Sequence, residues 1–559
     1  MQEATAQVAN HANPCSMWIL QGATGTRKTA DTGVQKAGGY LHYGCCQDVA
    51  LWFLDKDRTT DYNNLGFADT LHLASSQIIS TCYHASKTKN GFARDAWVNF
   101  FYDIYDTFTM NKQKQIQIIG GGLAGCEAAW QVARRGCAVC LYDMKPHRFS
   151  PAHHSPLLAE MVCSNSLRSN AQNSAVGLLK EEMRRLNSLV MRVAAETAVP
   201  AGKALAVNRE LFSQAITECL ERHPLIEIIH QEQTAIPAPA NTPIILATGP
   251  LSSEAMTESL VQLTGRDRLA FYDAIAPIVH SESLDMEIVY LKSRYDDGPG
   301  DYLNCPMNKE EYLTFIAALK SADTVPLKDF EDVKYFEGCL PIEVMVARGD
   351  NTLRFGPMKP VGLDDPRTGR WPYAVVQLRK ENRQGSLYNL VGFQTKLTYS
   401  EQKRIFRMIP GMTQADFARL GSIHRNTFVC APKLLEPTLQ LKSRPDLFLA
   451  GQLSGVEGYV ESTAMGLLAG INASRMMTGR PLVIPPPETA HGALITHLTQ
   501  SDPKHFQPSN VNFGLFPEWN EGDKQEQKTA KISKALRGEL RASTALAALT
   551  QWQDEHELQ

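Results

Sequence analysis

The sequence predicts an α/β protein: a Rossmann-like dinucleotide-binding domain of the G-x-G-x-x-G type, interrupted by an inserted α+β domain. Three observations carry this. Gly120, Gly122 and Gly125 follow a short apolar strand and open a helix, and Asp143 ends the next strand 23 residues beyond Gly120. Two further apolar strands, far apart in sequence, also end in glycine, at Gly249 and Gly451, so three glycine-tipped strands are expected to meet in one sheet. The interval from about 251 to 430 has strand and turn signals of its own.

Residues 1–109 have a different texture, with Gly, Thr, Asn and His breaking up short apolar pieces such as Ala50-Leu51-Trp52-Phe53-Leu54. They are read as an unassigned N-terminal extension. Met110 leads within six residues into a strand and is a candidate natural start. Gly22 to Thr29 looks like a phosphate loop, but Arg27 stands where the second glycine is needed before Lys28. From Gln115 the order is strand (to Ile119), glycine turn, helix through Ala128, Ala129, Val132 and Ala133 closed by Gly136, then strand Ala138 to Tyr142. Ile244 to Ala247 runs into Thr248-Gly249-Pro250, and Leu447 to Ala450 into Gly451. Between them, Leu353 to Pro357 and Ala374 to Leu378 read as strand and turn signals. After about 500 the chain turns polar and charged, with an exposed helix expected from Lys524 to Leu549. The resulting division is 110–250 plus 431–500 for nucleotide binding, 251–430 for the insert, and 501–559 for the C-terminal segment and tail.

Composition narrows the class. A chain of 559 residues with 43% hydrophobic and 21% charged residues has ample core and is neither disordered nor a membrane bundle. No apolar run approaches the ~18 residues that span a bilayer, and residues 1–30 lack a basic start followed by an apolar stretch, so a cytoplasmic location is expected. A net charge of -3 means that any nucleic-acid partner is held by a local basic surface. Twelve scattered cysteines form no secreted framework and are expected to be free thiols.

The residue types at the first glycine turn fit a dinucleotide. Gly120 permits the tight turn, Gly122 lets a pyrophosphate approach the backbone, and Gly125 lets helix and strand pack closely. Gly121, Leu123 and Ala124 complete a loop whose helix N-terminus faces the phosphates, and Asp143 accepts from ribose hydroxyls. An NAD domain is usually self-contained. Here Gly249 and the stretch Gly451-Gln452 to Tyr459 add distant glycine segments, the last preceding a helix with Ala464, Gly466 and Gly470, so FAD is favoured. The N-terminus of that helix would present free amides to the electron-rich edge of a reduced flavin.

Cys137 and Cys140 have C-x-x-C spacing, but no second pair accompanies them and both lie on or beside a buried strand, which makes them packed thiols. Cys45-Cys46 lies in the extension and carries no assigned chemistry. Cys163, in Val162-Cys163-Ser164-Asn165-Ser166-Leu167-Arg168, is followed at once by polar residues, and Arg168 favours a thiolate. Cys339 lies in Phe336-Glu337-Gly338-Cys339-Leu340-Pro341, where Gly338 and Pro341 are expected to fix a turn that exposes the sulfur. No metal site is expected.

These stretches, with Gly177 to Arg184, Val199 to Val207, Phe355 to Leu363, His424 to Phe428, Gly455 to Ser462 and Asn510 to Leu515, closely resemble the TrmFO family of folate- and FAD-dependent tRNA (uracil-5-)-methyltransferases. The resemblance covers about residues 114–517. It departs at Asp143, where the family often has glutamate. It implies formation of 5-methyluridine at position 54 in the T-loop of tRNA, with the carbon from methylenetetrahydrofolate and electrons from NAD(P)H through FAD. Uracil carbon 5 is a poor nucleophile, and a thiolate adding at carbon 6 converts the base into an enolate able to attack a methylene. Cys339 is the choice for that thiolate. Cys163 takes a second role near the flavin, as acid or base or in positioning the one-carbon unit, and the two assignments are exchangeable.

A T-loop uridine must be extruded to react, so phosphate-contacting cations are expected near the cleft. Lys292, Arg294, Arg404, Arg407 and Arg425 are candidates, each equally readable as a local ion pair, and His424 as a folate or RNA contact or a core histidine. Three rivals remain: the related FAD- and folate-dependent flavoprotein that modifies the wobble uridine, a flavin disulfide reductase, and a non-catalytic RNA-binding flavoprotein. The Phe-Glu-Gly-Cys and Val-Cys-Ser-Asn-Ser stretches argue against the first. The second needs paired cysteines beside the flavin, and Cys137 to Cys140 is on the wrong strand.

Overall fold

The computed structural model describes residues 114–265, 268–294, 298, 300–326, 340–518 and 533–558. The extension, with its phosphate-loop-like stretch and Cys45-Cys46, and Cys339 lie outside the described residues, as do the side chains of His424 and Arg425.

Six strands form the sheet that organises the site: β1 (Ile116–Ile119), β2 (Val139–Asp143), β3 (Ile226–His230), β4 (Ile244–Leu246), β5 (Gln440–Leu441) and β6 (Arg444–Leu449), in the order β5-β6-β4-β1-β2-β3. The five long-range neighbours β6, β4, β1, β2 and β3 are parallel, with Ile118 opposite both Leu141 and Ile245, and Ile245 opposite Phe448. A parallel sheet is covered on both faces, so its strands read as near-continuous apolar runs, and Ile116, Ile118, Leu141, Ile245 and Phe448 are fully buried. As expected, the three glycine-tipped strands β1, β4 and β6 are adjacent. β2 lies on one side of β1 and β4 on the other, so the order in which strands are added reverses beside β1, where ligands of doubly wound sheets bind.

Two helices matter most. α1 (Leu123–Ala133) follows β1, and α2 (Tyr459–Met477) follows β6 and the short 3₁₀ turn Gly451–Ser454. They pack at backbone distance: a Cβ on Gly466 would lie 2.2 Å from the Ala124 carbonyl oxygen, and one on Gly470 would lie 2.7 Å from that of Ala128.

A second sheet, antiparallel throughout, has the order Tyr290–Leu291, Tyr302–Met307, Ala374–Lys380, Leu387–Leu390, Ile278–His280, Phe417–Arg419. Its hydrophobic cluster draws on residues 279–415, whereas the cluster around the parallel sheet draws on 116–260 and 428–558. The long helix Lys309–Lys320 over this second sheet starts at a capping box in which Asn308 and Glu311 each accept the other's backbone N–H.

Two local expectations change. Leu353 to Pro357 is not a strand: Thr352–Phe355 is a single helical turn that buries Leu353 completely. Three residues before a Gly-Pro pair are too few for periodicity to separate strand from turn. The C-terminal helix spans Lys534–His556, starting at Ser533, whose side chain accepts from the Leu536 N–H at 3.2 Å. It is not a free surface helix, because Ala542, Ala545, Leu549 and Trp552 are buried in the main cluster. Residues 506–516 also dock there through Phe506, Val511 and Phe516.

Candidate dinucleotide site and the Cys163 segment

Each glycine of the first turn meets a distinct constraint. Gly120 has φ +110°, and a Cβ there would lie 2.4 Å from the Ala247 carbonyl oxygen. A Cβ on Gly125 would lie 1.8 Å from the Gly120 carbonyl oxygen, which enforces helix–strand contact. Gly121 donates its N–H to Asp143 Oδ2 at 2.8 Å, and a Cβ would lie 2.4 Å from that same oxygen. Gly122 alone has nothing within 4 Å of its Cβ position. That open space lies at the N-terminus of α1, whose N-cap is Gly122 with no side-chain cap, so its first amides are left for a ligand. Leu123 and Ala124, the first residues of α1, are buried and contribute backbone only.

Asp143 does more than the sequence indicated. It is 7% exposed, and Oδ1 accepts from the Lys145 N–H at 2.8 Å while Oδ2 holds Gly121. The carboxylate fixes the glycine loop, and each oxygen keeps a lone pair for a ribose hydroxyl. Gly249 (φ +70°) ends β4, with open space at its Cβ position. A cavity of about 450 Å³ beside it is lined by Pro250, Leu251, Ser252, Thr257 and Thr427. Gly451 (φ +72°) ends β6, where a Cβ would press on that of Ala124 at 2.9 Å. Gln452 follows, its amide donating to Glu457 Oε2 at 2.5 Å.

The N-terminus of α2 gathers three of the stretches quoted from the sequence. Gly458 (φ +106°) is its N-cap, again without a side-chain cap. Glu461, fully buried in the first turn, pairs with Arg168 and accepts the Val511 N–H at 2.9 Å. Asn510 Nδ2 donates to the Glu457 carbonyl. Arg168 itself has φ +61°, a strained value for a non-glycine residue, and its carbonyl and that of Leu167 accept from Lys180 Nζ at 3.1 and 3.0 Å. Lys180 has no exposed surface, and burial, with repulsion from Arg184 and Arg168, pushes its ammonium down to about 7.

Cys163 is half-buried, its Sγ 3.8 Å from the Ala274 carbonyl oxygen. Its backbone is clamped from all sides. Cys163 N–H donates to the Tyr459 hydroxyl at 2.6 Å and Ser164 N–H to the same oxygen at 3.3 Å. Arg209 Nη1 donates to the Met161 carbonyl at 2.8 Å, and Arg419 Nη1 to that of Val162 at 2.8 Å. Arg379 donates to Asn165 Oδ1 at 2.8 Å and to Ser164 Oγ at 2.7 Å. Glu381 answers these cations, 2.6 Å from Arg209 Nε. Burial, with repulsion from Arg209, pushes the Arg419 guanidinium down to about 10, and burial beside Cys163 pushes the Tyr459 phenol up. Three guanidinium groups against one carboxylate leave this pocket positive. Arg209, Arg379, Arg419, Glu381 and Tyr459 were missed in the sequence. The one available signal was Arg379, a charge inside the apolar run Ala374–Lys380.

The remaining expectations divide. Cys137 and Cys140 are buried thiols. Lys292 pairs with Asp364 at 3.2 Å, Arg404 with Glu401, and Arg407 caps the Ala415 carbonyl at 3.0 Å. Arg294 donates to the carbonyls of Val361 and Lys359 at 2.8 and 2.6 Å. These four cations are engaged locally.

The glycine loop, the acid-tipped β2 and the α1–α2 contact define a dinucleotide-binding flavoprotein fold of the GidA type: a family model described as Glucose inhibited division protein A matches residues 115–481. The GidA of Aquifex aeolicus shares this fold, with a TM-score of 0.57 at 16% identity over 80% of this chain and 74% of that one. Nearer in sequence is the methylenetetrahydrofolate–tRNA-(uracil-5-)-methyltransferase TrmFO of Desulfotalea psychrophila, 68% identical over 449 residues, 80% of this chain and 99% of that one. Proteins of the same name from Syntrophus aciditrophicus and Geobacter sulfurreducens are 58% and 59% identical, covering 80% and 78% of this chain and 99% and 98% of theirs. The chain belongs to the TrmFO family.

Proposed function

We propose that this protein is a methylenetetrahydrofolate–tRNA-(uracil-5-)-methyltransferase, a flavoprotein that methylates uracil carbon 5 in tRNA. The observation that carries the reading is 68% identity across 99% of a TrmFO enzyme. FAD fits the residues present: a Cβ-free opening at Gly122 over the uncapped α1 N-terminus, and Asp143 with lone pairs to spare. Gly120 to Gly125 would hold its pyrophosphate, Asp143 a ribose, and the uncapped α2 N-terminus the electron-rich edge of its ring.

Bound FAD supplies two-electron transfer, with NAD(P)H as the reductant and methylenetetrahydrofolate as the carbon donor. The finer assignments are the uridine at position 54 of the T-loop as target, and a cytoplasmic location. No helix among the described residues is long and apolar enough to cross a membrane. Residues 1–109 are taken as an extension, 110–250 with 431–500 as the FAD domain, 251–430 as the insert on the tRNA and folate side, and 501–559 as the C-terminal segment.

In the mechanism, the Cys339 thiolate adds at uracil carbon 6 and pushes electrons to carbon 5, which then forms the bond to the folate-derived carbon. Removal of the carbon 5 proton by Cys163 Sγ breaks the carbon–nitrogen bond to tetrahydrofolate and leaves an exocyclic methylene; a hydride that bound FAD would relay from NAD(P)H reduces it to methyl as Cys339 departs and the carbon 5–carbon 6 double bond is restored. What the described residues contribute is position: Arg209, Arg419 and Tyr459 hold the backbone that carries the Cys163 sulfur. The test is incubation of unmodified tRNA with methylenetetrahydrofolate and NAD(P)H, followed by nucleoside analysis. 5-Methyluridine in the T-loop is expected, and Cys163→Ala and Cys339→Ala should each abolish it with FAD still bound. An active Cys339→Ala enzyme would remove that residue from the chemistry.

A further inference from the structure

Phe355 and Trp371 are among the most exposed large apolar side chains of the described residues, at 77% and 54%. Both belong to one folded stretch. Arg354 Nε donates to the Tyr373 carbonyl at 2.7 Å, and its guanidinium lies 3.8 Å from the centre of the Tyr373 ring. Phe355 follows Arg354 directly, and Trp371 precedes Tyr373 by two residues. The Val375 N–H donates to the Met358 carbonyl at 3.1 Å, and the Asp365 N–H to the Arg370 carbonyl at 3.0 Å. The two rings are therefore mounted on a polar clasp.

The charge around them is one-sided. Residues 348–371 contain five Lys or Arg and three Asp in a chain whose net charge is -3. All three acids are engaged, Asp350 by Lys320, Asp364 by Lys292 and Asp365 by Arg367. Lys359 and Arg370 are exposed and form no ion pair among the described residues. Exposed aromatic faces next to unpaired cations suit a polyanion that also offers π faces, and single-stranded RNA is such a ligand.

We propose that Phe355 and Trp371 form a stacking platform for unpaired bases of the RNA substrate, with Lys359 and Arg370 on the adjoining phosphates. The proposal rests on the methyltransferase reading and assigns the surface that holds the tRNA loop. The test is anisotropy of a fluorescein-labelled T-arm hairpin titrated with FAD-loaded enzyme. Phe355→Ala and Trp371→Ala should each raise Kd roughly 5- to 100-fold, the effect of losing one base stack. Phe355→Tyr should bind like wild type. Lys359→Ala and Arg370→Ala should each flatten the dependence of log Kd on log salt by about 0.7 to 0.9. The kcat at saturating RNA and the KM for folate should stay within about twofold in all five variants.

Unchanged Kd in both aromatic variants overturns the platform. A higher folate KM with unchanged RNA affinity also overturns it and assigns the rings to folate. An enzyme that methylates tRNA normally while its variants bind like wild type refutes the platform alone. A wild-type protein that binds the hairpin through these rings yet never methylates it supports the platform and refutes the enzyme.

Discussion

Gly122 and Gly125 belong to the same turn, yet replacing them should fail in opposite ways. Gly122 has φ -77° and ψ -174°, ordinary extended backbone, and nothing lies within 4 Å of its Cβ position. Gly122→Val should therefore fold. Its one structural penalty is a poorer N-cap, about 0.5–1 kcal/mol. The valine methyl groups would fill the space over the first amides of α1, where pyrophosphate oxygens must come to hydrogen-bond distance. A ligand present at 1,000 times its Kd stabilises the folded state by about 4 kcal/mol, and that increment should disappear. Gly125→Ala is the reverse case: its Cβ would sit 1.8 Å from the Gly120 carbonyl oxygen, a backbone atom that cannot swing away. Overpacking of this kind costs about 3 kcal/mol or more and should appear without FAD present. The assay is thermal melting with and without added FAD, alongside flavin absorbance of the purified protein. A flavin-saturated Gly122→Val protein would refute the placement of the pyrophosphate, and a Gly125→Ala protein as stable as wild type would refute the packing argument.

Arg419→Ala removes the donors to the Val162 and Cys163 carbonyls, and should lower kcat while leaving bound FAD and RNA affinity near wild type. Its stability loss should be about 1–3 kcal/mol, and Arg419→Lys should recover part of kcat; equal loss in both variants without a change in kcat would make the contact purely structural. For Lys180 the folded value near 7 lies below the ordinary 10.5, so between those pH values the unfolded chain binds more protons and this group makes stability rise with pH. Melting curves of wild type and Lys180→Met should therefore diverge in favour of wild type as pH goes from about 7 toward 10, by a few kcal/mol at most, and a pH-independent difference would refute the buried ammonium. Leu549→Ala should destabilise the protein by about 2–5 kcal/mol in denaturant titration, because Leu549 is fully buried although it lies in a polar tail; a loss below 0.5 kcal/mol would mean that the helix does not dock.

What the sequence made legible was chemistry that one stretch of chain completes. The glycine turn, Asp143 and the small residues of α2 could be read because each glycine answers a local requirement, an open φ or a near backbone atom, that leaves a mark at a fixed spacing. The Lys534–His556 helix was misplaced because its start depends on the cap at Ser533 and its buried face on a partner surface, neither of which polarity reveals. The clamp around Cys163 was hardly legible, its one mark in the sequence being the charge of Arg379 within a strand. Its members stand at 209, 379, 419 and 459, and a lone arginine beside an N-cap or in a short edge strand looks the same whether it faces water or a carbonyl.

That clamp also decides how the two sheets divide the work. Arg209 and Tyr459 come from the elements around the parallel sheet, and Arg379, Glu381 and Arg419 from the antiparallel one. A segment held by donors from both cannot keep its geometry if either side shifts by more than a hydrogen bond tolerates, a few tenths of an ångström. The 278–419 segment is therefore part of what positions Cys163, in addition to presenting the Phe355 and Trp371 face. A change of angle between the two sheets on RNA binding would reach the sulfur through Arg379 and Arg419 directly. RNA binding that perturbs Cys163 alkylation in wild type should lose that effect in Arg419→Ala, whereas an alkylation rate equally RNA-sensitive in both would show that the coupling runs by another route.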